Sequence, residues 1–405
     1  VSHFLRAHRV FILIFAFLLL CETWFVLYYA DPEFNFATCT PDHAVAVQCH
    51  NQLADIFRYY RYATENDVTS RFAMFQRMLD GTGAAAQGVV GGIGLTNIFI
   101  FFLIDAGRAL TPWAPFVGIF WIQMLSLPIF YAGIRRIGQL IPEQFREAYY
   151  AGCLLVPMLP ASLINANKEY WSVFFVVLMG VCALEHRRIL LLALSLISTT
   201  VREVNFPIGI FFFLLTFPRV RFWHLAVLLS FAIPAAALVI PGFAKYRLVW
   251  SQWTNQGAAT ILGPLAEVQN YPFGQLLAAP IIFLINVISP GFGSDARISL
   301  EYGVMGAYGY ATSLTSYLVI IFGLQALYLC WKRKLWTHPL VEFLGSIIIL
   351  TAILPLNQFR YYYPMWPFIL ALALMIPSRR GLTANTGSVS NPAPMAHQPY
   401  RQFQA

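Results

Sequence analysis

Residues 10–30 read VFILIFAFLLLCETWFVLYYA, and the reading of this stretch decides the fold. As a helix it is about 31 Å long, matching a hydrocarbon core of about 30 Å. Arg6, His8 and Arg9 precede it. No small-residue cleavage site follows, so the expectation is a membrane anchor and not a removed signal peptide. Further apolar runs lie near 112–133, 148–166, 170–185, 189–201, 205–217, 223–241, 308–330, 339–357 and 362–377. Across the 405 residues, 59% are hydrophobic and only 11% charged, whereas soluble chains carry about 25% charged residues. Such a chain needs lipid as its solvent. This excludes a cytosolic enzyme, a secreted disulfide scaffold, a disordered protein and a simple nucleic-acid binder. The formal charge of +8 is therefore read as a topology signal, and no nucleic-acid partner is expected.

Two runs, 88–104 and 275–290, read either way, and the positive-inside rule arbitrates. With the N-terminus in the cytoplasm and both runs non-spanning, ten spans remain. The inner segments then hold fifteen basic residues against three acids, including Arg135/Arg136, Arg187/Arg188, Arg219/Arg221 and Lys332–Lys334. The outer segments hold eleven basic residues and thirteen acids. If 88–104 spanned, every later cluster would flip. The expected fold is all-α and polytopic, with about 10 transmembrane helices in residues 1–377. A large outer loop with interfacial helices (31–111) follows the first span, and a second outer loop covers 242–307. The tail, 378–405, is too poor in apolar residues to pack and is expected to be cytoplasmic and disordered.

The outer segments carry the charges that lie too near the membrane for simple solvation. In the first loop, QLADIFRYYRYA (52–63) and DVTSRFAMFQRMLD (67–80) suit flat amphipathic helices. These would hold a carboxylate at headgroup level; Asp67, Asp31, Glu33 and Asp55 are the candidates. LPASLINANKEYWSVFF (159–175) packs Asn165, Asn167, Lys168 and Glu169 into a short connection between spans, where polar groups are expensive unless paired or wet. STTVREVNFP (198–207) places Arg202 and Glu203 in the next outer turn. Two such turns with adjacent opposite charges suggest one shared polar cavity. In LNQFRYYYPMWPF (356–368), Arg360 offers a planar fork suited to phosphate. Tyr361 and its neighbours suit a sugar face or the interfacial aromatic belt.

Cys39 and Cys49 share the first outer loop, where an oxidising compartment would permit a disulfide. Cys21, Cys153, Cys182 and Cys330 read as packing residues in or beside spans. Nothing in the sequence requires a metal or cofactor, and a divalent cation is compatible with it. A Gly-rich phosphate loop of the nucleotide-binding type is missing.

Three local patterns together resemble the GT-C superfamily of membrane glycosyltransferases. NDVTSRFAMFQRMLDG (66–81) is similar to the outer-loop helix of that family, with Asp67 in the place of its acid. Span 112–133, the RRIG turn and span 148–166 ending at NKEYW resemble its following spans, and FRYYYP (359–364) resembles its closing Arg-Tyr…Pro. The resemblance implies a polyprenyl-phosphate- or pyrophosphate-linked sugar donor and a saccharide or lipid acceptor. The active side would be the outer, periplasmic face of a bacterial inner membrane, and the polymerases of polysaccharide repeat units are among the family's members. Arg360, Lys168, Arg202, Glu169, Glu203 and Tyr361 would bind substrate. Asp67, with Asp31, Glu33 and Asp55 as alternatives, would be the base. A flippase for lipid-linked oligosaccharide is the rival reading; it expects ionisable groups near mid-membrane. A structural scaffold is the third.

Overall fold

The computed structural model describes residues 8–29, 98–111, 115–164, 168–202, 204–239, 259–292, 303–353 and 361–375. Among the described residues every regular element is helical. In chain order these are α1 (Arg9–Tyr29), α2 (Ile98–Leu110), α3 (Pro115–Gly138), α4 (Glu143–Leu155), α5 (Met158–Ile164), α6 (Lys168–Leu184) and α7 (Arg188–Thr199). They continue with α8 (Asn205–Leu215), α9 (Phe222–Val239), α10 (Ala259–Val268), α11 (Gly274–Phe292), α12 (Gly303–Arg333), α13 (Pro339–Ile353) and α14 (Trp366–Ala373). The expected interfacial helices at 52–63 and 67–80 lie outside the described residues.

As helices the apolar runs satisfy their backbone hydrogen bonds within each segment, whatever apolar surroundings they meet. Within α12, Tyr310–Arg333 is long and apolar enough to cross a membrane, the one such helix among the described residues. Run 148–166 divides into α4 and α5 at Val156–Pro157. Proline drives the residue before it out of helical conformation, and Val156 is extended (ψ 128°). The interrupted backbone is repaired from a neighbour: the Met158 N–H donates to Thr315 Oγ of α12 at 3.1 Å.

The basic clusters gather at one end of the bundle. Arg135 meets His8 at 3.4 Å, and Glu185 bridges Arg136 and Arg187 at 3.5 and 2.7 Å. Arg188 ties the start of α7 to Thr216 at the end of α8. Arg221 faces Glu342 at 3.8 Å, near the start of α13.

The two ambiguous runs form α2 and α11. α2 covers 13 described residues, about 20 Å. It starts at the α7–α8 turn, where the Phe99 N–H donates to Thr200 O at 3.2 Å. It then runs against α3, with Gly107 and Gly118 in backbone contact; a Cβ on Gly118 would stand 2.4 Å from the Gly107 carbonyl oxygen. α11 is tied to α12 through Ser316 Oγ and Val287 O, and the turn before it to α13 through Gln269 Nε2 and Ala352 O. Ala352 is at the end of α13 remote from the basic end, and Ser316 is near the middle of α12.

The core is aromatic and close-packed. Phe212, Phe343 and Phe368 meet at ring separations of 4.4 to 6.2 Å. Gly152 lets α14 approach α4, and Trp366 Nε1 donates to Gly152 O at 3.0 Å. Small residues at such contacts let helices gain dispersion energy without a hydrophobic drive. The periphery is apolar as well: Leu13, Leu125, Leu196, Leu238 and Leu324 are exposed, which suits contact with lipid more than with water.

Candidate functional site

Three chain segments far apart in sequence meet away from the basic end. The first is the start of α6, where Glu169 sits in the first turn. A carboxylate there is favoured by the helix dipole. The second is the α7–α8 turn carrying Arg202. Its backbone N–H donates to Ser198 O, and its carbonyl accepts from Asn205 N–H. The third is Tyr361, which opens the tight turns leading into α14.

Arg202 Nη2 donates to Glu169 Oε1 in a direct ion pair. The guanidinium carbon lies 4.2 Å from the centre of the Tyr361 ring. The two charged side chains are 0% and 5% exposed. A stacked, charge-paired arginine gains both a cation–π term and a charge-assisted hydrogen bond. The desolvation cost of each ion is several kcal/mol, so the pair holds only while both partners are present.

A polar support surrounds the pair. Ser172 Oγ donates to Asn205 Oδ1 at 2.9 Å, and Asn205 Nδ2 reaches Ser198 O at 3.4 Å. These bonds lock α6 to the turn that carries Arg202. Beside them, Tyr170 and Ser126 share a hydroxyl contact, and Phe99 packs edge-on against Trp171 at 4.9 Å. Lys168, partly buried, is the first residue of the same helix.

Helix length sets the depth of this cluster. α7 and α8 have 12 and 11 residues, hence about 18 and 16 Å. Their far ends are clasped by Arg188 and Thr216 at the basic end. The Glu169–Arg202 pair is therefore about 17 Å from that end. The start of α6 likewise abuts the middle of α3, since Tyr170 touches Ser126 and Phe130.

Of the residues singled out from sequence, Glu169, Arg202 and Tyr361 come together, and Lys168 adjoins them. Asp31, Glu33, Asp55, Asp67, Glu203 and Arg360 lie outside the described residues, as do Asn165 and Asn167. Glu169 and Arg202 form a direct, buried ion pair where α6 packs on the α7–α8 hairpin, and the remaining residues of the expected shared cavity are among those outside the described residues. Sequence reasoning passed over Ser172, Asn205 and Trp171. The signal was a serine and an asparagine inside otherwise apolar helical windows. Among the described residues no three His, Cys, Asp or Glu side chains group to hold a metal ion.

Comparison with protein families, curated proteins and solved structures finds no match to this chain.

Proposed function

We propose that this protein is a membrane glycosyltransferase of GT-C type, acting on the side of the bundle opposite the basic end. It would move a sugar or oligosaccharide from a polyprenyl-(pyro)phosphate carrier to a saccharide or lipid acceptor in polysaccharide or glycolipid assembly, with repeat-unit polymerisation within that scope. The proposal includes ten spans, a cytoplasmic N-terminus and a periplasmic active face in a bacterial inner membrane. The observation that carries it is the convergence of Glu169, Arg202 and Tyr361 from three separate connections on that side.

The chemistry follows from charge. The acceptor hydroxyl attacks the anomeric carbon, its proton passes to a carboxylate, and the phosphate leaves with the bonding electrons while tethered to the membrane. Asp67 is the assigned base, with Asp31, Glu33 and Asp55 as alternates. Arg360, Lys168 and Arg202 supply positive charge where the phosphate's negative charge grows. One base with direct attack gives inversion at the sugar carbon.

The test uses full-length protein in proteoliposomes and a panel of synthetic polyprenyl-phosphate sugars as donors. Asp67→Ala and Arg360→Ala are expected to lower transfer about 100-fold or more with the protein still membrane-inserted. Full activity in both removes the assignment.

A second reading, a flippase for lipid-linked oligosaccharide, draws support from the depth of the ion pair, since charges buried within a bundle mark passage routes. Movement of a fluorescent lipid-linked oligosaccharide across the same vesicles, lost in Arg202→Gln without any sugar transfer in the wild type, would favour it.

A further inference from the structure

A second feature lies at the basic end. Between α1 and α3 runs a cavity of about 520 Å³, inside the range typical of ligand pockets. Its α3 wall is ordered along one helical stripe. Pro128 and Ala132 come first, then Arg135 and Arg136, then Gln139. Phe11 and Ile12 of α1 form the facing apolar wall, and Phe11 stacks on Tyr131 at 4.2 Å. The groove thus changes from apolar to cationic along its length, the profile of an amphiphile with an anionic head.

The cationic end is built from fixed parts. Arg135 Nη1 donates to His8 Nε2 at 3.4 Å, and the other ring nitrogen meets the Tyr131 hydroxyl at 3.3 Å. Burial and the nearby Arg135 charge hold the His8 ring below its ordinary pKa, while Glu147 opposes this. The neutral ring can therefore accept from Arg135 and steady it. Arg136 is 57% exposed and shares Glu185 with Arg187. Three arginines face two carboxylates, Glu147 and Glu185, so the rim keeps positive charge.

We infer that this groove binds an anionic phospholipid of the adjacent leaflet, its phosphate on Arg135 and Arg136 and an acyl chain between Phe11 and Pro128. Arginine forks match phosphate oxygens, and basic pockets between helices at a membrane face bind lipid headgroups. The inference rests on the membrane-embedded part of the proposed function and is independent of sugar transfer.

The experiment uses full-length protein purified in detergent, supplied with equal phosphatidylglycerol and phosphatidylcholine, with retained lipid read by native mass spectrometry. The wild type is expected to retain phosphatidylglycerol about 10-fold over phosphatidylcholine, a preference of about 1.4 kcal/mol. Arg135→Gln/Arg136→Gln should fall to parity. Ala132→Trp, which fills the groove and keeps both arginines, should also lose the preference, and it decides the matter if the double variant does not fold. Parity in the wild type, or an intact preference in either folded variant, overturns the lipid site. A chain that stays monodisperse in buffer without detergent overturns the membrane reading instead.

Discussion

The Glu169–Arg202 pair gives the sharpest stability prediction. Both side chains are almost wholly buried, so removing one partner leaves the other as an uncompensated charge. Glu169→Gln and Arg202→Gln are each expected to cost about 3–5 kcal/mol. The double variant, neutral at both positions, should cost well under the sum, because no lone charge remains. The coupling should reach about 2–3 kcal/mol, the upper range for directly interacting groups. Tyr361→Leu, which removes the ring beneath the guanidinium, should cost about 1–2 kcal/mol further. The assay is reversible unfolding in mixed micelles, with helicity as the signal, on the four members of the cycle. Strict additivity, or single losses below about 1 kcal/mol, would show that water reaches both groups and would refute the argument from burial.

Other outcomes follow from features described above. The His338 backbone carbonyl caps α13 by accepting from Val341 and Glu342, and its ring Nδ1 accepts from the Leu340 N–H at 3.3 Å. Burial lowers the ring pKa to about 4, so the fold favours the neutral ring. Its contribution, up to about 3 kcal/mol, is full above the unfolded value of about 6.5 and drains away as pH falls toward 4. Thermal stability measured between pH 7 and 4 should fall accordingly, and His338→Asn should flatten that part of the profile. Thr315→Val keeps shape but strands the Met158 N–H beside Pro157, with an expected loss of about 1–3 kcal/mol on chemical unfolding. Reporter fusions after residues 108 and 137 should report the outer and inner compartments respectively; the reverse would overturn the charge-based orientation.

The helices were legible because each is an apolar window bounded by charge or proline. The break at Pro157 was visible as a proline within a run; its repair by Thr315 was not, since that contact joins residues 157 positions apart. The suspicion that the Lys168–Glu169 and Arg202–Glu203 turns share one place came from the adjacent opposite charges that each outer turn carries. That Glu169 would choose Arg202 depended on how α6 lies against the α7–α8 hairpin, a packing outcome that hydropathy does not encode. Ser172 and Asn205 were missed because a single polar residue in an apolar helix reads as noise until its partner is known.

The shortness of α7 and α8 has a mechanical consequence for the surrounding bilayer. Ile189, Leu190, Leu196 and Ile197 leave that hairpin open to its surroundings, yet it covers little more than half of a 30 Å hydrocarbon layer. In the membrane proposed for this chain, lipids touching it would meet hydrophobic mismatch and compress, tilt or thin locally. In the proposed bilayer setting the layer would thin over the hairpin and bring its headgroups nearer the turn that carries Arg202.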